Sequence, residues 1–381
     1  MWRVDMSLAG SAGPPSGDQP EPESPRADQL EKSLPALPET RDIAPAQRFD
    51  VAALANYLAG RIEGFNGLEE VRQFKGGASN PTFLIIEKGG DGRLFVMRKK
   101  PPGQLLASAH QVDREFRAMS ALAGSGVPVP RMRALCTDDN IVGTAFYVMD
   151  YLEGRIFRDA RLPELSPAER SAVYDEANAT LAKLHHVDYA AVGLADFGRP
   201  GNYFERQIGR WTKQYRGAET ESIPAMEQLI VALPHRIPDD QSVSIAHGDY
   251  RIENLMFHPT EPKLIAVLDW ELSTIGHPLA DIAYNALLWH SMSEAWGNLD
   301  GVDFATSGIP TEEEYVAAYC RRTGRSSIPH WNFYLAFSLF RLASIAQGVY
   351  KRILDGIAST DRPAMNDTPR RAAQAWDLLN G

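Results

Sequence analysis

The chain has 381 residues, of which 44 % are hydrophobic, so it is long and apolar enough to form two lobes around a cleft. Its formal net charge of -10 at pH 7 argues against a nucleic-acid-binding protein, because such proteins contact phosphates through cationic side chains. No apolar run approaches the roughly eighteen residues that a membrane span needs. Cys136 and Cys320 match no metal-ligand spacing. We therefore expect a cytoplasmic protein without disulfides and without a nucleic-acid or membrane partner.

Residues 1–45 form a proline-rich, acidic segment that also contains many Ser and Gly residues. Such a composition cannot bury enough apolar surface to offset chain entropy, so it predicts a disordered arm. The arm lacks the cationic start and apolar core of a secretory signal, and it has too many acids for a mitochondrial transit peptide. It can act as a docking segment, but a tail without a specific role is the simpler interpretation.

Residues 46–150 alternate helical and extended patterns. The predicted elements are helices at 50–58 and 109–123 and strands at 71–74, 82–87, 94–97, 132–136 and 144–149. The first two strands are joined by Gly76-Gly77-Ala78-Ser79-Asn80. A glycine turn between strands can lie over a nucleotide, with backbone N–H groups and the Ser79 hydroxyl directed at phosphates, but the same sequence is also typical of a simple turn.

From residue 151 onward the pattern is mainly helical. A helix over 167–186 is predicted to begin at the N-cap Ser166, with Pro167 in its first position. It ends at His185 and His186, for which hydrogen bonds at a helix terminus are a simpler interpretation than metal ligation.

Two further helices carry cations that can contact a substrate. The helix predicted at 203–215 has Arg206, Arg210 and Lys213 on one face, where they either hold an anionic substrate or are simply solvated. The large side chains of the helix predicted at 331–350 are mostly aromatic and are expected in the core. Arg341 lies among them and is expected to face a substrate pocket.

The stretch 243–271 is the most informative part of the chain. An apolar run leads into His247-Gly248-Asp249, and Asn254 precedes a short strand that ends at Phe257. After a turn bounded by prolines, the apolar strand 264–268 ends in Asp269. Strands that flank such a turn are expected to pair as a hairpin. Counting outward from the turn places Asn254 and Asp269 within about a residue of opposite each other, beside Asp249.

These three polar residues suit the chemistry of phosphoryl transfer. An ionised carboxylate at the end of so apolar a strand costs several kcal/mol unless a partner compensates it. The oxygens of Asn254 and Asp269 suit Mg²⁺ held jointly with substrate phosphates. Asp249 lies outside that pair and can accept the proton of an attacking hydroxyl. The alternative is a buried polar hairpin with no catalytic role.

The segment HGDYRIEN at 247–254, followed by LDWE at 268–271, resembles the aminoglycoside phosphotransferases and choline kinases, which are relatives of protein kinases. Over most of its length past residue 45, the chain more closely resembles the kinase-like domain fused to some eukaryotic acyl-CoA dehydrogenases and its free-standing bacterial relatives. The resemblance implies an α+β, protein-kinase-like fold with two lobes. The lobe of residues 46–150 would be a five-stranded antiparallel sheet plus a helix, and the lobe of residues 151–381 would be mainly helical.

The resemblance also implies roles for residues outside the hairpin. The glycine turn becomes a phosphate loop that includes Gly76, Gly77, Ser79 and Asn80. The end of the third strand supplies the cation that grips the phosphates, which is Arg98 unless a register shift substitutes Lys99 or Lys100. Its ion-pair partner would be Glu115, which is otherwise a solvated helix charge. The segment after the last strand resembles a kinase hinge, where Met149 would line the adenine pocket and the backbone near Asp150 and Leu152 would bind adenine. The segment 247–254 would be the catalytic loop, supported by His247 and Asp281.

The resemblance implies transfer of the terminal phosphate of ATP, with Mg²⁺, to a hydroxyl of a small molecule. We expect a hydroxyacyl-CoA or hydroxy acid as acceptor, because its anionic groups suit the cations Arg206, Arg210, Lys213, Arg251 and Arg341. The alternatives are a kinase of another hydroxylated metabolite, such as an aminoglycoside or choline, and a nucleotide-binding pseudokinase scaffold. A protein kinase is disfavoured because only eleven residues separate Asp269 from Asp281, too few for a long activation segment.

Overall fold

The computed structural model describes residues 39–75, 80–89, 92–101, 111–290, 298–356 and 365–381. The N-terminal part of this region is built on a six-stranded sheet with the strand order β1-β2-β3-β4-β6-β5, in which all neighbours are antiparallel. Its elements are β1 (Thr40–Arg41), α1 (Val51–Ala59), β2 (Leu68–Phe74), β3 (Thr82–Glu87), β4 (Leu94–Lys99), α2 (Val112–Leu122), β5 (Met132–Cys136), α3 (Asp139–Val142) and β6 (Phe146–Asp150).

The sheet has one strand more than the five that the sequence predicts. The additional strand β1 lies in what was predicted to be the disordered arm, and it pairs with the edge of β2. Side chains of β2 hold this segment, since Arg72 donates to the Thr40 hydroxyl at 2.8 Å and Gln73 accepts the Ala44 N–H at 3.0 Å. A two-residue edge strand has no periodicity to detect, which is why the sequence does not predict it. The rest of the predicted arm, residues 1–38, lies outside the described residues.

The two faces of the sheet are covered by different helices. Helix α1 begins at Asp50, whose carboxylate accepts the N–H groups of Ala52 and Ala53, and its Leu54 and Leu58 enter a core shared with the sheet. Helix α2 packs against β5 and β6 and joins the larger core of the molecule. Because α2 faces the interior on the side of the cleft, its Glu115 is fully buried.

The C-terminal part is mainly helical, as predicted. Its elements are β7 (Arg155–Ile156), α4 (Pro167–His186), α5 (Tyr203–Ala218), α6 (Pro224–Ala232), β8 (Ser244–Ala246), β9 (Leu255–Phe257), β10 (Leu264–Val267), β11 (Thr274–Gly276), α7 (Pro278–Ala286), α8 (Phe304–Ser307), α9 (Glu312–Thr323), α10 (Trp331–Leu354) and α11 (Thr368–Asn380). The strands form two small sheets, β10-β9-β7 and β11-β8. No helix in the described parts of the chain is long and apolar enough to cross a membrane.

Aromatic side chains form the centre of this helical lobe. The ring of Phe204 on α5 lies 5.3 Å from Phe333, 5.4 Å from Tyr334 and 5.0 Å from Phe337, all on α10. Edge-to-face packing of this kind adds to the stability that burial of the rings provides. The prediction that the aromatic residues of this helix belong to the core is therefore confirmed.

Helix α2 is also attached to the C-terminal lobe. The guanidinium of Arg114 lies 4.0 Å from the centre of the Phe197 ring and donates to the Phe197 carbonyl at 2.6 Å. One turn later, Arg117 forms an ion pair with Asp196. These contacts fix the helix that carries Glu115 relative to the loop that precedes α5.

Candidate active site

The hairpin of β9 and β10 brings the predicted site residues together. Leu255 pairs with Val267, and the Leu268 N–H donates to the Asn254 carbonyl at 2.8 Å. Asn254 therefore lies opposite Leu268, one residue from Asp269. The register that the sequence predicts by counting from the turn is confirmed.

The carboxylate of Asp249 has a hydrogen-bond donor on each oxygen. Asn254 Nδ2 donates to Oδ2 at 2.9 Å, and the Tyr284 hydroxyl donates to Oδ1 at 2.5 Å. Burial raises the pKa of Tyr284 well above its ordinary value, and the neighbouring Asp249 charge acts in the same direction, so the phenol stays a donor. The sequence analysis missed Tyr284. A signal was present, because Tyr284 follows Asp281 by three residues and so shares its helix face.

The backbone of the catalytic loop is held by a buried carboxylate. Asp281 accepts the N–H groups of His247 and Gly248 at 2.6 and 2.8 Å, and His185 Nε2 lies 3.3 Å from it. Burial alone would raise the pKa of Asp281, but His185 and the backbone donors hold it below its ordinary value. Gly248 has a φ of +83°, and a Cβ there would lie 2.6 Å from the Leu272 carbonyl oxygen, so the position requires glycine.

The ring of His247 links the two halves of the site. Its Nδ1 accepts the Asp249 N–H at 3.2 Å, and its Nε2 lies 2.9 Å from the Leu268 carbonyl. In the tautomer that satisfies both contacts, Nδ1 is the acceptor and Nε2 is the donor. His247 and Asp281 thus lie where the resemblance places supports for the catalytic loop.

Arg98 is the member of its basic run that faces the cleft. It donates to Asp269 Oδ1 at 2.8 Å and lies 3.5 Å from Glu115 and 3.6 Å from Glu271. Because strand side chains alternate between faces, Lys99 points the other way, and its Nζ lies 5.2 Å from the centre of the Phe49 ring. Lys100 lies 3.9 Å from Asp113. The geometry therefore favours Arg98 over the two lysines.

Glu115 is a buried partner of Arg98 and is not a solvated helix charge. Asn80 Nδ2 donates to it at 3.1 Å and the Tyr147 hydroxyl at 3.0 Å. Burial raises the pKa of Glu115 from 4.5 to about 7, against the opposing effect of Arg98. Asn80, predicted as part of the phosphate loop, is itself buried and supports this ion pair. The predicted loop residues Gly76, Gly77 and Ser79 lie outside the described residues.

Asn254 and Asp269 have the chemistry that Mg²⁺ requires. The Asn254 amide nitrogen donates to Asp249, so the amide oxygen is the end that faces away from that carboxylate. Asp269 has a φ of +65°, which directs its partly exposed carboxylate out of the strand and toward Arg98. Within the described parts, no group of three or more His, Cys, Asp or Glu side chains could hold a metal alone. Mg²⁺ usually takes one or two protein ligands and keeps phosphate oxygens and water as the others, so the oxygens of Asn254 and Asp269 suit it.

The predicted hinge lies at the end of β6 and just after it. The Asp150 carboxylate is bound by Arg133 at 2.5 and 2.8 Å, and the backbone N–H of Asp150 donates to the Arg131 carbonyl at 2.9 Å. The next N–H, of Tyr151, donates to the Leu94 carbonyl. Both N–H groups therefore have partners within the fold. Adenine binding by the backbone near Leu152 and by Met149, which is half-buried in β6, stays a prediction.

The five cations predicted to contact substrate do not form one group. Arg206 binds the carbonyls of Arg199 and Gly201, so its guanidinium holds the loop before α5. Arg251 is paired with Glu253. Arg210 and Lys213 are exposed on α5. Loop carbonyls near the helix start therefore bind the Arg206 side chain, whereas Arg210 and Lys213 extend into solvent, and substrate contact by these residues stays a prediction.

Arg341 does reach the catalytic loop. Arg341 is 7 % exposed, and its guanidinium donates to the Gly248 carbonyl. The guanidinium lies 5.0 Å from the centre of the Tyr284 ring and 5.5 Å from that of Trp211. It thus lies beneath the loop rather than in an open pocket. His185 and His186 have hydrogen-bond partners in Tyr319 and the Ala182 carbonyl, as the simpler interpretation predicted.

Comparisons with known proteins agree with this geometry. A family model described as "Phosphotransferase enzyme family" matches residues 70–331. The chain is 47 % identical to acyl-CoA dehydrogenase family member 10 of Mus musculus, over 90 % of this chain and 32 % of that protein. It is 46 % identical to acyl-CoA dehydrogenase family member 11 of Homo sapiens, over 84 % of this chain and 41 % of that protein. The chain thus matches less than half the length of these relatives.

Solved structures give the same result for the fold. A protein of Ralstonia eutropha, provisionally named an aminoglycoside phosphotransferase, is 49 % identical, with a TM-score of 0.80, over 87 % of this chain and 99 % of that chain. Choline kinase of Cryptosporidium parvum has a TM-score of 0.57 at 14 % identity, over 87 % of this chain and 95 % of that one, a likeness of fold alone. The predicted protein-kinase-like fold is confirmed.

The raised pKa of Glu115 predicts a specific pH dependence of stability. Its pKa is 4.5 in the unfolded chain and about 7 in the fold, so its contribution is fully present below pH 4.5 and is lost as the pH rises to about 7. In the wild type, the free energy of unfolding should decrease by at most about 1.4 kcal/mol per pH unit in this window. The Glu115→Gln variant should lack this decrease. Denaturant titrations of the wild type and the variant at several pH values would measure it.

Glu87→Gln is the matched control for that experiment. Glu87 is also buried, but its hydrogen bonds from Arg93 and the Asn66 N–H lower its pKa despite burial. Its contribution to stability is therefore present at high pH and lost as the pH falls. The two variants should change the pH profile in opposite directions, and parallel profiles for wild type and Glu115→Gln would contradict the assignment.

Proposed function

The chain belongs to the phosphotransferase enzyme family, and from this premise we propose that it transfers the terminal phosphate of ATP, with Mg²⁺, to a hydroxyl of a small molecule. The observation that carries the proposal is the meeting of Asp249, Asn254 and Asp269 at one end of the β9–β10 hairpin, with Arg98 across the cleft. The nucleotide would bind to the lobe of residues 46–150, and the acceptor would bind to the lobe of residues 151–381.

Each residue has a defined part in the proposed reaction. Asp249 orients the acceptor hydroxyl and receives its proton as the oxygen attacks the terminal phosphorus. Asn254 and Asp269 would hold Mg²⁺, which neutralises charge on the phosphate oxygens. Arg98, kept in place by Glu115, binds the phosphates from the other side of the cleft. Asp281 and His247 hold the loop that carries Asp249 at its distance from the hairpin.

We propose a hydroxyacyl-CoA or the free hydroxy acid as the acceptor. Two relatives are named for acyl-CoA dehydrogenation, and a kinase acting on the same compounds would convert a hydroxyl of the acyl chain into a better leaving group. Arg210 and Lys213 are exposed on α5 and would contact the anionic groups of such an acceptor.

A screen of acceptors tests the proposal directly. ADP release should be stimulated by hydroxyacyl-CoA thioesters or hydroxy acids that differ in hydroxyl position, and mass spectrometry should show a phosphorylated product. The same acyl chains without a hydroxyl are the matched controls and should be inactive, as should kanamycin and choline. Phosphorylation of an aminoglycoside, with no activity on any hydroxyacyl compound, would refute the acceptor and leave phosphotransfer in place.

The assignment of Asp249 as the base predicts a separation between binding and turnover. Asp249→Asn should bind ATP with nearly wild-type affinity, because the residue lies outside the proposed metal pair. Turnover should fall by at least roughly a hundredfold, the usual scale for a positioned base. Calorimetry with ATP and steady-state kinetics with the best acceptor would measure the two quantities. Unchanged turnover would remove Asp249 from the mechanism.

Asp269 should show the complementary behaviour. Asp269→Ala removes the carboxylate of the proposed metal pair, so Mg²⁺ should no longer strengthen ATP binding. Titrations with ATP, with and without Mg²⁺, would measure this, and Asp249→Asn is the matched variant in which the Mg²⁺ effect should persist. Equal enhancement by Mg²⁺ in wild type and Asp269→Ala would contradict the metal assignment.

A further inference from the structure

We propose that Tyr284 is a positioning residue for Asp249, and that it sets which face of the carboxylate the acceptor hydroxyl meets. The proposal rests on the proposed function, in which Asp249 is the base. Its starting point is geometric: the two carboxylate oxygens are bound by donors from two different elements, Asn254 before β9 and Tyr284 on α7.

Two donors constrain the carboxylate in a way that one cannot. With Asn254 alone, the carboxylate plane could still rotate about the bond that joins it to Cβ. The Tyr284 hydroxyl, 2.5 Å from Oδ1, blocks that rotation because it binds the opposite oxygen. The acceptor hydroxyl must then approach a remaining lone pair in a fixed direction. Correct orientation of this kind lowers the barrier of the chemical step.

Tyr284 is itself fixed in place. Its side chain is 5 % exposed, and it lies on the same helix as Asp281, which holds the N–H groups of His247 and Gly248. One face of α7 therefore binds both the backbone of the catalytic loop and the side chain of its base. As a result, the hydroxyl of Tyr284 and the loop cannot shift relative to each other without loss of buried hydrogen bonds.

Arg341 on α10 stabilises the same arrangement, because it contacts both Tyr284 and the loop that carries Asp249. Its guanidinium lies 5.0 Å from the centre of the Tyr284 ring and donates to the carbonyl of Gly248, the residue before the base. A single buried cation thus contacts both the positioning ring and the loop that it positions. The Tyr284 ring packs against Arg341, whereas its hydroxyl binds Asp249. A substitution that removes only the hydroxyl therefore tests its role without changing the packing of the ring.

The test is Tyr284→Phe, which removes the hydroxyl and keeps the ring against Arg341. We expect kcat with the best acceptor to fall roughly 10- to 100-fold, while KM for ATP, KM for the acceptor and the melting temperature stay close to wild type. Tyr174→Phe is the matched control, since it removes another buried hydroxyl, one that donates to the Ala160 carbonyl at 2.7 Å. Its kcat should be unchanged.

The possible results are distinguishable. Wild-type kcat in Tyr284→Phe would overturn the positioning role, as would equal kcat losses in both tyrosine variants, which would indicate general destabilisation. Loss confined to KM would also overturn it, because orientation of the base acts on the chemical step. Failure of the proposed function gives a different pattern, in which Asp249→Asn itself retains turnover. Turnover lost in Asp249→Asn, reduced in Tyr284→Phe and intact in Tyr174→Phe would support the proposal.

Discussion

The site depends on one buried carboxylate that is satisfied by the backbone of the loop it supports. An unpaired charge at Asp281 would cost several kcal/mol in the interior, and its two oxygens are paired with the N–H groups of His247 and Gly248 and with His185. If the loop moved, these hydrogen bonds would break and the buried Asp281 charge would lose its partners. His247 lies in this loop and contacts the Leu268 carbonyl, so the segment between β10 and Asp269 is held at a fixed position relative to the loop.

A second constraint is the grouping of three carboxylates around one cation in the described part of the cleft. Arg98 is the cation nearest to three carboxylates, those of Glu115, Asp269 and Glu271. Burial and the nearby charges of Asp269 and Glu271 raise the pKa of Glu115, which lowers the negative charge beside Arg98. At Asp269, the excess of negative over positive charge around Arg98 favours binding of a divalent cation. The electrostatics of the cleft and the oxygen ligands of the hairpin therefore lead to the same conclusion about what binds there.

Sequence reasoning succeeded where the signal was local and failed where partners were distant. The hairpin register followed from counting residues around one turn. The choice between Arg98 and its two lysine neighbours stayed open in the sequence, because it depends on which face of β4 each side chain occupies in the fold. Tyr284 was missed because its partner, Asp249, lies 35 residues away and only the fold brings them together. The hydrogen-bond partners of Arg206 were missed for a related reason: helical spacing predicts the face on which a side chain lies, but it does not predict which carbonyls of a neighbouring loop the side chain contacts.

The attachment of α2 limits how the two lobes can separate. Arg98 joins the helix to the sheet through Glu115, and Arg114 joins it to the C-terminal lobe through Phe197. A hinge motion that admits substrate must therefore break one of these contacts or bend the chain elsewhere. The Arg98–Glu115 contact is buried, whereas Arg114 is only half-buried where it contacts the ring and the carbonyl of Phe197. Opening is expected to begin on the Phe197 side, so that α2 leaves with the sheet and the Arg98–Glu115 pair stays assembled between catalytic cycles.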